Sequence, residues 1–161
     1  MNQHQVKITD LCDANPDIAV VEPLFCDFGG ISSFSGSITT LKVHEDNVLV
    51  RSQLEKPGDG RVLVVDGGGS KRCALLGDQL AKLGVENRWA GIVVYGCVRD
   101  SVELKKIPWG IKALTTHPKK SAKKGVGEVD IPINFGGVTF MPNHFVYVDE
   151  DGIVVAPQAL T

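Results

Sequence analysis

Apolar residues in this chain gather into short, dense runs separated by glycine, proline, aspartate and asparagine. The densest run is Ile92-Val93-Val94-Tyr95, inside the stretch Trp89–Glu103. A run this short, rich in β-branched residues and flanked by glycine predicts a strand buried on both faces. Arg61–Asp66 (RVLVVD) predicts a second buried strand, and Gly36–His44 alternates well enough for a third. Pro108–Thr116 includes another (GIKALTT). The C-terminal part reads as β throughout, in the segments Asp130–Asn134, Gly137–Phe140, His144–Asp149 and Gly152–Ala156. Gly-Gly, Pro-Asn and Asp-Gly turn signals separate them.

Helical spacing appears between the strands. Ile8–Ala14 predicts a short helix with Thr9-Asp10 as its N-cap region, stopped at Asn15-Pro16. Asn47–Lys56 and Asp78–Val85 carry apolar residues at helical intervals, and Lys71–Leu76 reads as a helical turn. Ser101–Lys106 predicts a short helix capped by Asp100 or Ser101. Ile18–Phe25 is extended, and Pro23 confines it to an edge or a bent strand. Helices and strands alternate in the middle, with extra strands at both ends. The pattern predicts an α/β domain with a mixed sheet, one domain over residues 1–161.

Composition narrows the function. A formal net charge of −2 gives nucleic acid no global electrostatic attraction, so direct nucleic-acid binding is not expected. The basic hexamer Lys119–Lys124 (KKSAKK) holds no aromatic residue and reads as a solvated loop, with an RNA or acidic-partner patch as the other reading. No apolar run reaches the roughly 20 residues of a membrane span, and no secretory leader is visible at the N-terminus. Cys12, Cys26, Cys73 and Cys97 form no CxxC motif and read as reduced thiols of a cytoplasmic protein. Cys97 reads as a small buried hydrophobe ahead of a nucleophile. His4, His44, His117 and His144 are scattered without metal-ligand spacing. The run Gly67-Gly68-Gly69 lacks both the Walker and the GxGxxG spacing and reads as a tight crossover.

Candidate chemistry sits at the end of the central run, where Gly96-Cys97-Val98 gives way to Arg99-Asp100, with Glu103 three residues on. In open α/β sheets, ligands bind at the carboxyl ends of strands. Charges at the mouth of a buried strand are costly unless paired or used. Arg99-Asp100 therefore reads either as a structural ion pair, with Asp100 as a helix cap, or as a site. Upstream, Gly77-Asp78-Gln79-Leu80 leads into a helix N-terminus, whose free N–H groups suit a carboxylate or phosphate.

These residues resemble a known family. Val21–Phe25 with Gly29-Gly30, Arg61–Ser70, Gly91–Arg99, Asn134–Phe140 and Asp149–Val155 together resemble the regulator of ribonuclease activity A (RraA) family almost end to end. The resemblance implies a swivelling β/β/α domain and a homotrimer. It implies one of two functions. One branch binds the endoribonuclease RNase E and restrains RNA decay. The other comprises metal-dependent class II aldolases that cleave 4-hydroxy-4-methyl-2-oxoglutarate to two pyruvates and decarboxylate oxaloacetate. The aldolase pattern is a glycine, about twenty residues, Arg-Asp, two residues and an acid. Gly77 lies 21 intervening residues before Arg99; Asp100 follows and Glu103 completes the pattern.

The regulatory branch tends to lose the aspartate that this chain keeps, so the resemblance favours the aldolase. It implies Asp100 as direct ligand of Mg²⁺ or Mn²⁺, with Asp78 and Glu103 holding the metal through water. It assigns the substrate carboxylate to the amides of Gly77, Asp78, Gln79 and Leu80, and the keto oxygen to Arg99. The family's aldolases are usually longer than this chain, and an acid from a neighbouring subunit's C-terminal part assists. On the regulatory reading, function lies on the trimer surface, at the acidic triplet Asp149-Glu150-Asp151. An older assignment of the family to a menaquinone-pathway methyltransferase finds no methyl-donor loop in the sequence.

Overall fold

The computed structural model describes residues 7–161. In chain order the elements are α1 (Ile8–Ala14), β1 (Ala19–Val20), β2 (Cys26–Asp27), β3 (Phe34–Lys42), α2 (Val48–Leu54), β4 (Val62–Asp66), β5 (Ala74–Leu76) and α3 (Asp78–Glu86). They continue with β6 (Gly91–Val98), α4 (Ser101–Leu104), β7 (Gly110–Thr116), β8 (Glu128–Val129), β9 (Ile133–Phe135), β10 (Val138–Phe140), β11 (Phe145–Asp149) and β12 (Gly152–Ala156).

A ten-stranded mixed sheet runs β1-β12-β11-β3-β4-β6-β7-β2, with β5 also paired to β6 and β8 to β3. Its centre, β3-β4-β6-β7, is parallel, and β11, β12 and β1 continue it antiparallel. β9 and β10 form a separate antiparallel pair. The expected mixed sheet is therefore present. Of Ile18–Phe25 only Ala19–Val20 is strand, at one edge of the sheet as Pro23 predicts; the chain then crosses to β2 at the other edge.

The central strands are buried on both sides because their side chains alternate between two cores. Leu63 and Val65 of β4, with Ile92 and Val94 of β6, face a core closed by Val50 and Leu54 of α2, Leu80 and Ala81 of α3, Trp89 and Trp109. Val62, Val64 and Val93 face the other way, into a core with Phe135, Phe140, Val146 and Val155. There Phe135 stacks on Tyr95 and on Phe140 at 4.9 and 4.4 Å between ring centroids. On the outer face of β11 and β12, Ile8 and Leu11 of α1 cover Tyr147 and Val154. Each such buried aliphatic side chain contributes about 1.5–3 kcal/mol relative to exposure.

Several expected boundaries shift. Lys71–Leu76 is not a helical turn: Ala74–Leu76 is a strand, buried at every position and paired parallel with β6. Three consecutive apolar residues show no period, and here the free edge of a neighbouring strand decides. Helix α1 is capped by Lys7, not Thr9-Asp10, which lie in its first turn. Of Asp130–Asn134 only the last two residues enter β9, because Asp130 takes a positive φ of 58° and turns the chain. The acidic triplet is not a surface patch. Asp149 is buried and accepts N–H groups from Ile8 and Asp151, leaving Glu150 and Asp151 exposed. The glycine run, read as a tight crossover, forms a turn at the end of β4: Gly68 N–H donates to Asp66 Oδ1, and Gly67 and Gly69 both donate to the Tyr95 carbonyl.

Candidate active site

Strand β5 places the site. It runs parallel to β6 with Ala74 opposite Cys97 and Leu76 opposite Val98. The residues that follow, Gly77 and Arg99, therefore leave the sheet side by side at the strands' carboxyl ends. The Arg99 N–H donates to the Leu76 carbonyl at 2.9 Å and fixes this junction. From Gly77 the chain enters α3; from Arg99 it enters α4.

Asp100 makes that second entry in the left-handed region, at φ 60° and ψ 43°. Aspartate tolerates this conformation better than most residues, and it turns the side chain away from the helix that follows. The Asp100 carbonyl starts α4 by accepting from Leu104 N–H at 2.9 Å, but its carboxylate makes no capping bond. Oδ2 instead accepts the backbone N–H of Asp78 at 3.3 Å. The helix-cap role for the Asp100 side chain is thus excluded. The ion-pair role is excluded as well. Among the described residues no ion pair joins Arg99 to Asp100, and the Arg99 guanidinium donates to the Pro118 carbonyl at 3.5 Å.

Gly77 is needed for the approach. A Cβ built there would lie 2.7 Å from Asp100 Oδ2, below any ordinary contact. The first intrahelical bond of α3 runs from Ala81 N–H to the Gly77 carbonyl at 3.1 Å. The N–H groups of Gln79 and Leu80 therefore have no acceptor within the helix and point out of its positive end. Arg99 is half-buried and Asp100 exposed, so both are accessible to a ligand.

The opposite wall comes from the basic loop, whose lysines are solvent-exposed as expected but whose backbone is held in place. Asp46 is buried, and its carboxylate accepts backbone N–H groups from Val48, Lys124, Gly125 and Val126 at 2.8–3.3 Å. Burial alone would raise its pKa; the four N–H donors outweigh it and hold the carboxyl below its ordinary value. Ala74 N–H donates to the Lys119 carbonyl, and Asn47 N–H to Ser121 Oγ. Together these bonds set Lys120, Ser121 and Lys123 across from Gly77, Asp78, Arg99 and Asp100, around a cavity of about 180 Å³. Lys123 Nζ donates to Asn47 Oδ1 at 3.0 Å.

The sequence-predicted residues divide. Gly77, Asp78, Gln79, Leu80, Arg99 and Asp100 all line this cavity. Glu103 does not: it lies exposed on α4, 3.5 Å from Lys106 Nζ. Asp78 also holds Lys82 at 3.7 Å. Ala74 and Leu76 of β5 also line it, as do Asn47, Arg51, Lys120, Ser121 and Lys123, none of which was predicted as a site residue. The basic character of residues 119–124 was the one local signal that pointed toward them. Cys97 is buried, with its thiol directed at the Ser70 carbonyl, and burial pushes its pKa up, as expected of a packing residue.

A divalent cation has a plausible donor set in this arrangement. The Asp100 carboxylate is exposed and has one N–H partner, so oxygen lone pairs remain open to a hard cation. Among the described residues no three His, Cys, Asp or Glu side chains converge into a complete cage. One carboxylate with water making up the rest is a common arrangement for Mg²⁺. A larger cavity, about 560 Å³, lies beside α1 and β12. Its buried Lys112 is neutralised by Asp27 at 3.0 Å. The smaller cavity is where open polar groups converge, and chemistry outweighs size in choosing between them.

The fold and the strand-end site place the chain among mixed α/β proteins of RraA type. The RraA-like family (Aldolase/RraA) matches residues 8–155, and the chain belongs to that family. A protein of Aromatoleum aromaticum, provisionally named 4-hydroxy-4-methyl-2-oxoglutarate aldolase, is 59% identical over 157 residues, covering 97% of this chain and 99% of its own. The chain thus spans nearly the full length of a relative bearing the aldolase name, contrary to the expectation that those proteins are longer. The solved structure of the RNA-processing inhibitor RraA from Thermus thermophilis superposes with a TM-score of 0.94 at 49% identity, covering 97% of this chain and 95% of that one. A Geobacillus kaustophilus structure described as an S-adenosylmethionine:2-dimethylmenaquinone methyltransferase gives 0.93 at 49%, covering 96% and 97%.

Proposed function

We propose that the protein is a divalent-metal-dependent class II aldolase that cleaves 4-hydroxy-4-methyl-2-oxoglutarate to two pyruvates and also decarboxylates oxaloacetate. The observation that carries this reading is Arg99 and Asp100, which form no ion pair with each other, beside the open N-terminus of α3. The names of relatives such as that of Aromatoleum aromaticum support it.

Both reactions break a C–C bond next to a 2-keto acid and leave a pyruvate enolate. The chain's own groups suit that task. The Gln79 and Leu80 amides, at the positive end of α3, bind the substrate carboxylate. The Arg99 guanidinium donates to the keto oxygen and stabilises its negative charge as the bond breaks. Asp100 would hold the cation, with Asp78 in the same cavity; Glu103, outside the cavity beside Lys106, would reach it only through intervening water. A divalent cation supplies Lewis-acid polarisation of the keto acid when bound. Cleavage of the hydroxy acid also needs the proton of its C4 hydroxyl removed, whereas decarboxylation does not. The simpler reaction therefore tolerates a less complete site.

The working unit on this reading is a homotrimer, with an acid from a neighbouring subunit assisting. Val20, Leu24 and Ile31 are exposed apolar residues on the segment that supplies both short edge strands, which supports self-association. The test is to incubate the protein with 4-hydroxy-4-methyl-2-oxoglutarate and Mg²⁺ or Mn²⁺ and measure pyruvate. Two pyruvates per substrate consumed are expected; no consumption would overturn the aldolase reading.

The second reading is a regulator that binds RNase E. It is favoured by the 49% identity to the RNA-processing inhibitor RraA of Thermus thermophilis. Dose-dependent inhibition of RNase E by a protein lacking lyase activity would establish it.

A further inference from the structure

Two lysines stand opposite Arg99 with no role in the chemistry so far described. Lys120 and Lys123 line the same cavity as Asp100, and among the described residues neither is paired with a carboxylate. Arg51 adds a third cation on that side, held only loosely by Glu55 at 3.8 Å. With Arg99 the cavity carries four cationic side chains against the two carboxylates Asp78 and Asp100. One cation bound at Asp100 would enlarge that excess. The imbalance calls for a ligand with more than one negative charge.

The backbone that carries the lysines is built rather than loose. Asp46 clamps the N–H groups of Lys124, Gly125 and Val126, and Ala122 N–H donates to the Glu45 carbonyl at 2.9 Å. Ala74 pairs with Lys120, and Asp46 with Ala122, as isolated β-bridges. Holding flexible lysines on a fixed backbone lowers the entropy lost when they bind an anion. The cavity is smaller than the roughly 300–1,000 Å³ usual for drug-sized ligands, which suits a small acid.

We infer that Lys120 and Lys123 bind the second carboxylate of a dicarboxylic 2-keto acid, at the end away from the keto group, and so select dicarboxylic over monocarboxylic keto acids. The inference rests on the keto-acid lyase reading and adds the specificity element to it. The near carboxylate goes to the α3 amides and the keto oxygen to Arg99; the far carboxylate then reaches the lysine wall. Lys120 and Lys123 are exposed, and two such cations suit a carboxylate whose position shifts as its bond to the pyruvate half breaks.

The test compares oxaloacetate, which has the far carboxylate, with pyruvate, which lacks it. For wild type, Lys120→Met, Lys123→Met and the double variant, kcat/KM for oxaloacetate decarboxylation is measured beside the rate of deuterium exchange into the pyruvate methyl group. The expected result is a selectivity ratio, oxaloacetate over pyruvate, lowered about tenfold or more in the double variant. That loss should lie mainly in KM, and Lys→Arg should recover most of it. An unchanged ratio overturns the inference, whether both rates persist or both fall together. A wild type that turns over neither compound overturns the lyase reading itself and this inference with it. Exchange that survives alongside an unchanged ratio removes the lysine assignment alone.

Discussion

Asp100 Oδ2 and the backbone N–H of Asp78 lie 3.3 Å apart although 22 positions separate them in the chain. The contact is made by two parallel strands ending in register, β5 at Leu76 and β6 at Val98. It puts the Asp100 carboxylate against the amide end of α3, with the Arg99 side chain alongside. Both bland roles for the Arg99-Asp100 pair fail in this geometry, since the carboxylate neither caps α4 nor meets the guanidinium.

Asp100→Ala and Arg99→Ala are therefore expected to fail in different ways. Loss of Asp100 weakens metal binding and abolishes turnover at ordinary metal concentrations. Loss of Arg99 removes a donor to the developing oxyanion and costs about 10²–10³ in rate, roughly 3–4 kcal/mol. Metal affinity then stays level or rises slightly, because a neighbouring positive charge is gone. Metal titration and thermal unfolding of both variants check this. Parallel destabilisation with unchanged metal affinity would mean a structural role for both.

Gly77→Ala isolates the position of the carboxylate. Gly77 has φ −131°, a value open to any residue, so alanine brings no backbone strain. Its methyl clashes with the end of the Asp100 side chain, which can swing aside, and stands in ordinary contact with the Arg99 side chain at 3.5 Å. Folding stability should change by less than about 0.5 kcal/mol, as for substitutions free of core or strain effects. Metal affinity and turnover should fall at least tenfold. A fully active Gly77→Ala protein would contradict the placement of Asp100.

Asp46→Asn tests the clamp on the basic loop. One oxygen of Asp46 meets three backbone N–H groups, and an amide presents a donor or a weaker acceptor there. The expected loss is about 2–3 kcal/mol by urea unfolding. Because the folded-state pKa of Asp46 is depressed, its contribution is complete above the ordinary aspartate range. It fades as pH falls through the lower folded value. The difference between wild type and Asp46→Asn should accordingly be full at neutral pH and shrink in acid. A difference independent of pH would contradict the clamp.

Cys73 and Cys97 are buried, and burial pushes both thiols above their ordinary pKa. Neither should react with iodoacetamide at pH 7.5 in the folded protein, and both should react after unfolding, as read by peptide mass spectrometry. Rapid alkylation of native Cys97 with loss of turnover would give it a chemical role.

How much of this was legible in the sequence depends on how local the cause is. The β6 strand was legible because Ile92–Tyr95 is apolar without interruption, and the charges at its end marked the site. The close backbone approach at Gly67-Gly68-Gly69 was legible from the glycines themselves, and the Gly68 bond that shapes it reaches only two residues back, to Asp66. Strand β5 was not, because Ala74-Leu75-Leu76 has no period and its partner, β6, begins 17 residues past the start of β5. The lysine wall was missed for the same reason at longer range. Asp46 reaches Lys124, Gly125 and Val126 across 78–80 positions, and no local pattern reports that contact.

The assembly is tested by light scattering. A homotrimer is expected, with the exposed apolar residues Val20, Leu24 and Ile31 on the segment that supplies the sheet edges. A stable monomer at micromolar concentration would contradict the trimer.

The central claim is that the Arg99-Asp100 site performs metal-dependent C–C cleavage, and pyruvate release from oxaloacetate measures it most directly. The rate is read above the metal-only background with Mg²⁺ or Mn²⁺, after chelation, and after metal is returned. The account predicts a clear excess with metal, its loss on chelation and its recovery on adding metal back. No excess over background with any of several divalent metals, from a folded protein, would contradict it.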